Sequence, residues 1–257
     1  MRAPGVVDGL RLASRHGRIV VGWSIVTAVN PLDDVELSRL HPGEIPLAAG
    51  LAARGMRDNP ISVALFGDDP VRRARALEPL FYWVLSSMAA PSLVARRRGV
   101  LAGIAALAPP DRCFFRQAAA RERVVHVGQR RIGVTVPSVP RVVLLRLLAF
   151  GPGALVRLSQ WGEVGMKHDP AEPHHHVELV VVEPALRGKG IGGIMMRELC
   201  REMDEARGVG HLETDKDENV RFYERFGFEV ADQAIVFGMR SWYMRRGSVR
   251  LPEIPSR

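Results

Sequence analysis

Cysteine is nearly absent: the 257 residues contain two, Cys113 and Cys200. Their spacing fits neither a metal-binding nor a redox pair, which argues against zinc modules and a disulfide framework. Both are expected as unpaired thiols of a reducing, cytoplasmic compartment. Neither stands at a recognised nucleophile position. Lysine is also scarce. It occurs only at Lys167, Lys189 and Lys216, so 36 − 3 = 33 of the basic residues are arginine. No apolar run of about 18 residues exists, which argues against a membrane-spanning helix. Ile19–Val29 is apolar but too short to span. Asp8 precedes it and no small-residue cleavage site follows, so a signal peptide is not expected. Val139–Leu158 is interrupted by Arg141, Arg146 and Arg157 and reads as amphipathic helix. Repeats and low-complexity tracts are missing as well.

What remains is an ordinary globular balance, 47% hydrophobic and 25% charged. The net charge of +8 attracts polyanions, but no zinc-finger or RNA-binding signature accompanies it. No specific nucleic-acid partner is therefore expected. The pattern divides the chain into an extension (1–33), one domain (34–246) and a tail (247–257). Val35–Leu40 alternates as a strand and Gly43–Met56 reads as a helix that Asp58-Asn59-Pro60 ends. Asp69-Pro70 opens a second helix, running to about Met88. Ser92–Arg96 and Leu101–Leu107 form a hairpin around Arg97-Arg98-Gly99. Arg141–Phe150 and Gly153–Trp161 look helical. Beyond them come a strand His176–Val182, a helix Ile191–Arg207, a strand His211–Thr214, a short helix Asn219–Phe226, and closing strands Phe228–Ala231 and Ser241–Arg245. Strands and helices alternate, as in a mixed α/β sheet.

The strongest chemical signal is Val180-Val181-Val182-Glu183-Pro184-Ala185-Leu186-Arg187-Gly188-Lys189-Gly190-Ile191-Gly192-Gly193. An apolar strand ends in a proline turn, and a glycine-rich loop opens a helix. Glycines let backbone N–H groups converge, and a helix N-terminus adds partial positive charge. Such a loop suits a pyrophosphate. A P-loop would require Ser or Thr after Lys189, where Gly190 stands. A dinucleotide fingerprint stays open on composition, with Glu213 about 20 residues on, but no second βαβ unit follows.

Arg187, Gly190 and Gly192 also match the acyl-CoA loop of the GNAT acyltransferases. Leu212-Glu213-Thr214, Asn219, Phe222-Tyr223-Glu224-Arg225-Phe226-Gly227-Phe228-Glu229 and Arg240–Arg246 resemble that family's terminal segment. Residues 174–246 are most similar to the branch containing puromycin N-acetyltransferase. The resemblance implies a mixed, mostly antiparallel central sheet, flanked by helices and splayed at the acyl-CoA site. It implies an N-acyltransferase that takes acetyl-CoA as cosubstrate and passes the acetyl group to a primary amine, as monomer or homodimer. A non-catalytic acyl-CoA-binding regulatory module is the alternative.

By the same resemblance, the backbone of Val180, Val181 and Val182 pairs with the pantetheine arm. Arg187, Gly188, Lys189, Gly190, Ile191, Gly192 and Gly193 hold the pyrophosphate. Asn219 either contacts pantetheine or caps the short helix. Tyr223 matches the general acid that reprotonates the departing thiolate. The base is sought among Glu178 and His176, which alternation along the strand places on one face. His174-His175-His176 also resembles a metal tract, but neighbours on a strand point apart, so no metal is expected. Phe81, Tyr82 and Trp83 either line an acceptor pocket or form core. Arg96-Arg97-Arg98 either binds an acidic acceptor or is a solvated turn.

Overall fold

A computed structural model of the chain describes residues 32, 34–110, 112, 122–127, 130–135 and 152–248. The expectations for most of residues 1–33, for Arg141–Phe150, for Cys113 and for the tail beyond 248 lie outside them. Seven strands form one sheet in the order β1-β2-β3-β6-β7-β9-β8. They are β1 (Val35–Arg39), β2 (Leu93–Arg97), β3 (Val100–Ala108), β6 (His174–Val182), β7 (Val209–Thr214), β8 (Glu229–Val236) and β9 (Met239–Arg246). Every neighbouring pair is antiparallel except β6 and β7, which run parallel. A separate hairpin, β4 (Glu122–Val127) and β5 (Arg130–Thr135), had no counterpart in the sequence pattern. The mixed, mostly antiparallel sheet expected from the sequence is the one observed.

Helices cover both faces. On one lies α1 (Ile45–Met56), whose small buried residues Ala48, Ala49, Ala52 and Ala53 let it approach the sheet closely. At Gly55 the approach is so tight that a Cβ would stand 2.1 Å from Val181 Cγ1. The helix α3 (Pro70–Ser87) packs beside α1, and Leu51, Leu85, Ile104, Leu179 and Val181 share its core. On the other face lies α5 (Ile191–Glu205), burying Ile191, Met195, Met196, Leu199, Cys200 and Met203 against β2, β3 and β6. Burial pushes the Cys200 thiol up, which suits an unreactive thiol.

Asp58-Asn59-Pro60 does more than end a helix. Asn59 Oδ1 accepts from the Ile61 N–H and Pro60 occupies the first turn of α2 (Pro60–Phe66). The same cap-and-proline chemistry opens α3, where Asp69 Oδ1 accepts from the Val71 and Arg72 N–H groups. The next helix, α4 (Pro152–His168), extends well past Trp161 until Asp169-Pro170 stops it. It packs with α2 and α3 in a third apolar cluster. The short α6 (Asp217–Glu224) follows β7. None of the described helices is long and apolar enough to cross a membrane.

The Arg96-Arg97-Arg98 run is tied to acids of the fold. Arg96 pairs with Glu44 at 2.7 Å, and Arg97 and Arg98 both hold Asp34. Arg98 and Gly99 take positive φ values of 51° and 74°, forming the tight turn of the β2–β3 hairpin.

One buried cation ties the helical layer together. Arg73 is 6% exposed and donates to Arg57 O at 2.7 Å, Gly67 O at 2.9 Å and Asp58 Oδ1 at 2.7 Å. It thereby joins the end of α1, the end of α2 and the first turn of α3. Arg73→Met keeps the aliphatic stem but leaves two carbonyls without their charged donor. Unfolding in urea should show a loss of about 3 kcal/mol, since bonds to a charged donor are the strong ones. Arg73→Lys should recover only part of it, because an ammonium cannot reproduce the fork. A loss below about 1 kcal/mol would remove the staple role.

Candidate active site

The one parallel pair in the sheet is also the shortest ladder. β6 and β7 pair at His174↔Val209, His175↔Gly210 and His176↔His211, and pairing ends there. Beyond that point β6 stays bonded to β3 through Val182, while β7 stays bonded to β9 through Thr214. The two strands part, and the β7-side edge of Val177–Val182 lies outside any described ladder. This is the splay expected at the acyl-CoA site.

A groove runs from the parting to the loop that follows β6. Val180, Val181, Val182, Arg187, Gly188, Gly190, Ile191, Gly192, Gly193 and Asn219 all line it. Gly188 and Gly190 have φ values of 74° and 85°, a region that only glycine enters without strain. Gly190 is the N-cap of α5 and its carbonyl accepts from Ile194 N–H. The first-turn N–H groups of Ile191, Gly192 and Gly193 therefore have no intrahelical acceptor, and all three residues line the groove. Arg187 also donates through Nη2 to Gly55 O, hooking the loop to the last turn of α1. Lys189 is exposed and is not among the groove-lining residues. Three cations that the motif did not indicate line it instead: Arg197, Lys216 and Arg225. Arg197 lies one turn after Gly193, a spacing legible in the sequence; Arg225 rests over the Phe222 ring at 5.2 Å.

A second cavity of about 200 Å³ opens on the other side of the parting. Met56, Asn59, Val180, Asn219 and Tyr223 line both spaces. Phe81 and Trp83 line the second, whereas Tyr82 is 47% exposed and lines neither. Glu178 lines it too, on a β-bulge. Ala106 pairs with Leu179 and Leu107 with Val177, so Glu178 is an extra residue on β6. The bulge interrupts the alternation from which a common face for Glu178 and His176 was expected. Asn219 is not the cap of α6: Lys216 holds that position, and Asn219 Nδ2 donates to Thr214 Oγ1 at 3.0 Å. Tyr223 is 9% exposed and packs edge-on to Phe222 and Phe228. Burial pushes its phenol well up, and the charge of Glu213 adds to the effect.

His176 is fully buried and does not line the cavity. Its Nε2 bonds to Glu213 Oε2 at 2.7 Å, and Glu213 does line it. Burial pushes the Glu213 carboxyl up, but the charge and hydrogen bond of His176 outweigh this and hold it below its usual value. Two residues on, Asp215 also lines the cavity. Burial pushes it up to about 6, with Glu213 adding and the Ser241 hydroxyl opposing.

Behind Glu213, His174, His176 and His211 form an edge-to-face cluster beside Asp169. Asp169, His176 and His211 each bring one potential ligand atom within 4.8 Å of the others. His176 Nδ1 stands 3.9 Å from Asp169 Oδ1, wider than the roughly 3.3 Å between ligands of a tetrahedral zinc. The His176 Nε2–Glu213 Oε2 bond links the cluster to Glu213. His175 points the other way, where a Cβ on Gly208 would meet its ring at 2.3 Å.

Residues 153–230 match the family described as the acetyltransferase (GNAT) domain. Over 59 residues the chain is 36% identical to a glucosamine 6-phosphate N-acetyltransferase of Trypanosoma brucei brucei. That stretch is 23% of this chain and spans two fifths (40%) of the relative. The fold is similar to a histone acetyltransferase HPA2 and related acetyltransferase structure from Corynebacterium glutamicum. Its TM-score is 0.60 at 16% identity, covering 86% of this chain and 99% of that one. It is similar too to the polyamine N-acetyltransferase of Drosophila melanogaster, with a TM-score of 0.50 at 13% identity over 82% and 98%.

The histidine cluster has a consequence for stability. Burial, with the neighbouring His176 adding, lowers the His211 imidazole to about 3. An unfolded histidine titrates near 6.5, so below that pH only the unfolded chain gains this proton. Stability present above pH 6.5 is lost as pH falls, by about 2 kcal/mol at pH 5. Between pH 7.5 and 5, urea unfolding should show wild type losing about 2 kcal/mol more stability than His211→Phe, read in each case as a slope of stability against pH. Equal slopes would mean that His211 is protonated in the fold.

Proposed function

We propose that the acetyltransferase (GNAT) domain carried by this chain moves an acetyl group from acetyl-CoA to a primary amine by direct attack. One observation carries the reading. The parting of β6 and β7 joins a groove ending on a glycine-lined helix N-terminus to a cavity lined by carboxylates, and Tyr223 stands in both. The backbone edge of Val180–Val182 suits an extended pantetheine arm, added as a further strand would be. The N–H groups around Gly188–Gly193 suit a pyrophosphate, with Arg197, Lys216 and Arg225 supplying charge. Lys189 contributes at longer range. Asn219, between groove and cavity, suits the arm's inner end. The resemblance of Leu212-Glu213-Thr214 and Phe222–Arg225 to the branch containing puromycin N-acetyltransferase supports the same assignment.

An amine attacks a thioester only after losing its proton. Among the cavity's carboxylates, Asp215 has a basicity near neutral pH and receives that proton best. Glu213 stays charged, draws the ammonium in, and is oriented by His176, while Glu178 on the bulge faces the same space. Tyr223 keeps its proton at any physiological pH and donates to the departing sulfur as charge develops there. Holding both substrates at one junction supplies the remaining acceleration. The reaction and the buried Cys200 thiol fit a reducing cytoplasm.

Acetyl-CoA at 100 times its dissociation constant should stabilise the fold by about 2.7 kcal/mol, visible as a raised melting temperature. Gly190→Glu places a carboxylate at the groove's end and should abolish that rise while the protein stays folded. Retained calorimetric affinity in this variant would mean that the loop is structural only.

Tyr223→Phe separates enzyme from binding module. Affinity for acetyl-CoA should change little, and thiol release in the presence of an amine should fall roughly 10²–10⁴-fold. In wild type, kcat/KM should rise with pH through about 6, as Asp215 loses its proton, and Asp215→Asn should flatten that limb. Tight binding without transfer to any amine would favour a regulatory module.

A further inference from the structure

The second cavity differs in chemistry from the groove beside it. Its walls from α2, α3 and α4 are mainly apolar, with Leu65, Phe81, Trp83, Leu158, Trp161 and Met166 lining the space and Glu163 of α4 as their one charged residue. Its charged lining is acidic throughout: Glu163, Glu178, Glu213 and Asp215. Among the described residues that line it there is no arginine, lysine or histidine. Three of the four carboxylates come from β6 and the end of β7, beside Tyr223 and Val180, where the cavity meets the groove. Three of the four charges thus come from the sheet side, and Glu163 alone stands among the aromatic and aliphatic side chains of α2, α3 and α4.

From this arrangement we infer that the acceptor is a primary amine on a bulky, apolar, aromatic-bearing body without phosphate or carboxylate. The inference rests on the assignment of the cavity to the acceptor. An ammonium at the junction meets the acidic cluster, and a ring in the far part meets Phe81, Trp83 and Trp161, where edge and face contacts add to area burial. A sugar phosphate would bring a dianion into a space with four carboxylates and no cation. A polyamine's second ammonium would have only Glu163 to meet on that side, and its chain would leave the ring surface of Phe81, Trp83 and Trp161 unmatched. The substrates named for the similar trypanosomal and Drosophila enzymes are thus both disfavoured here.

The test is a calorimetric titration of the full chain, first with CoA and then, at saturating CoA, with four probes. They are 4-phenylbutylamine, 4-phenylbutanol, spermidine and glucosamine 6-phosphate. The amine should bind at least about tenfold more tightly than each of the others, since it alone offers both cation and apolar body. Trp161→Ala should weaken 4-phenylbutylamine by roughly tenfold, Trp161→Phe should restore most of it, and CoA affinity should stay within about twofold in both. Equal or tighter binding of spermidine or glucosamine 6-phosphate overturns the inference. So does equal binding of the alcohol, which would leave the carboxylates without a role in recognition. Failure of CoA to bind sinks the acyl-transfer reading alone. The same four probes titrated into CoA-free protein then decide the chemistry of the cavity by the same ranking.

Discussion

The structure depends on the point where two parallel strands stop pairing. Antiparallel neighbours flank β6 and β7 on both outer sides, and these ladders run on past the parting to Val182 and Thr214. The inner edges of β6 and β7 are therefore held apart by a sheet that does not itself come undone. Backbone groups at such an edge need partners. An extended ligand can supply them without distorting the protein, because the strand is already in place. Tyr223, Glu178 and the glycine loop derive their common position from this one gap.

Two spaces of opposite charge meet at the gap. Arg187, Arg197, Lys216 and Arg225, with the single acid Glu218, border one; Glu163, Glu178, Glu213 and Asp215 border the other. Polyanion and cation are thereby sorted before either reaches the junction, since each is repelled by the wrong side. The chain's net charge of +8 conceals this division: the acidic side is a local feature built by β6, the end of β7 and α4.

Much of this was legible in the sequence because local chemistry and fold agree. The strand–loop–helix run with Gly188, Gly190 and Gly192 specifies its own geometry, and the sheet class followed from alternation. The misses have identifiable causes. Helix α2 was hidden because Asn59-Pro60 carries the same signal for a stop as for a start. The bulge at Glu178 was not legible because it leaves no mark in a period-two pattern. Asp215 and Arg225 are ordinary charged residues in sequence; burial gives the first its basicity, and only the fold brings the second to the groove. Trp161 could not be placed in the cavity without knowing that α4 continues to His168.

The last turn of α1 has a role that reaches beyond packing. Gly55 presses on Val181 and its carbonyl receives Arg187 from the glycine-rich loop, while Met56 and the adjoining Asn59 form wall in both spaces. A displacement of that turn changes both spaces at once. Were a ligand in one space to shift this turn, the other space would feel it, and that coupling would be reciprocal in free energy. For a two-substrate reaction it would make the apparent Michaelis constant of one substrate depend on the concentration of the other.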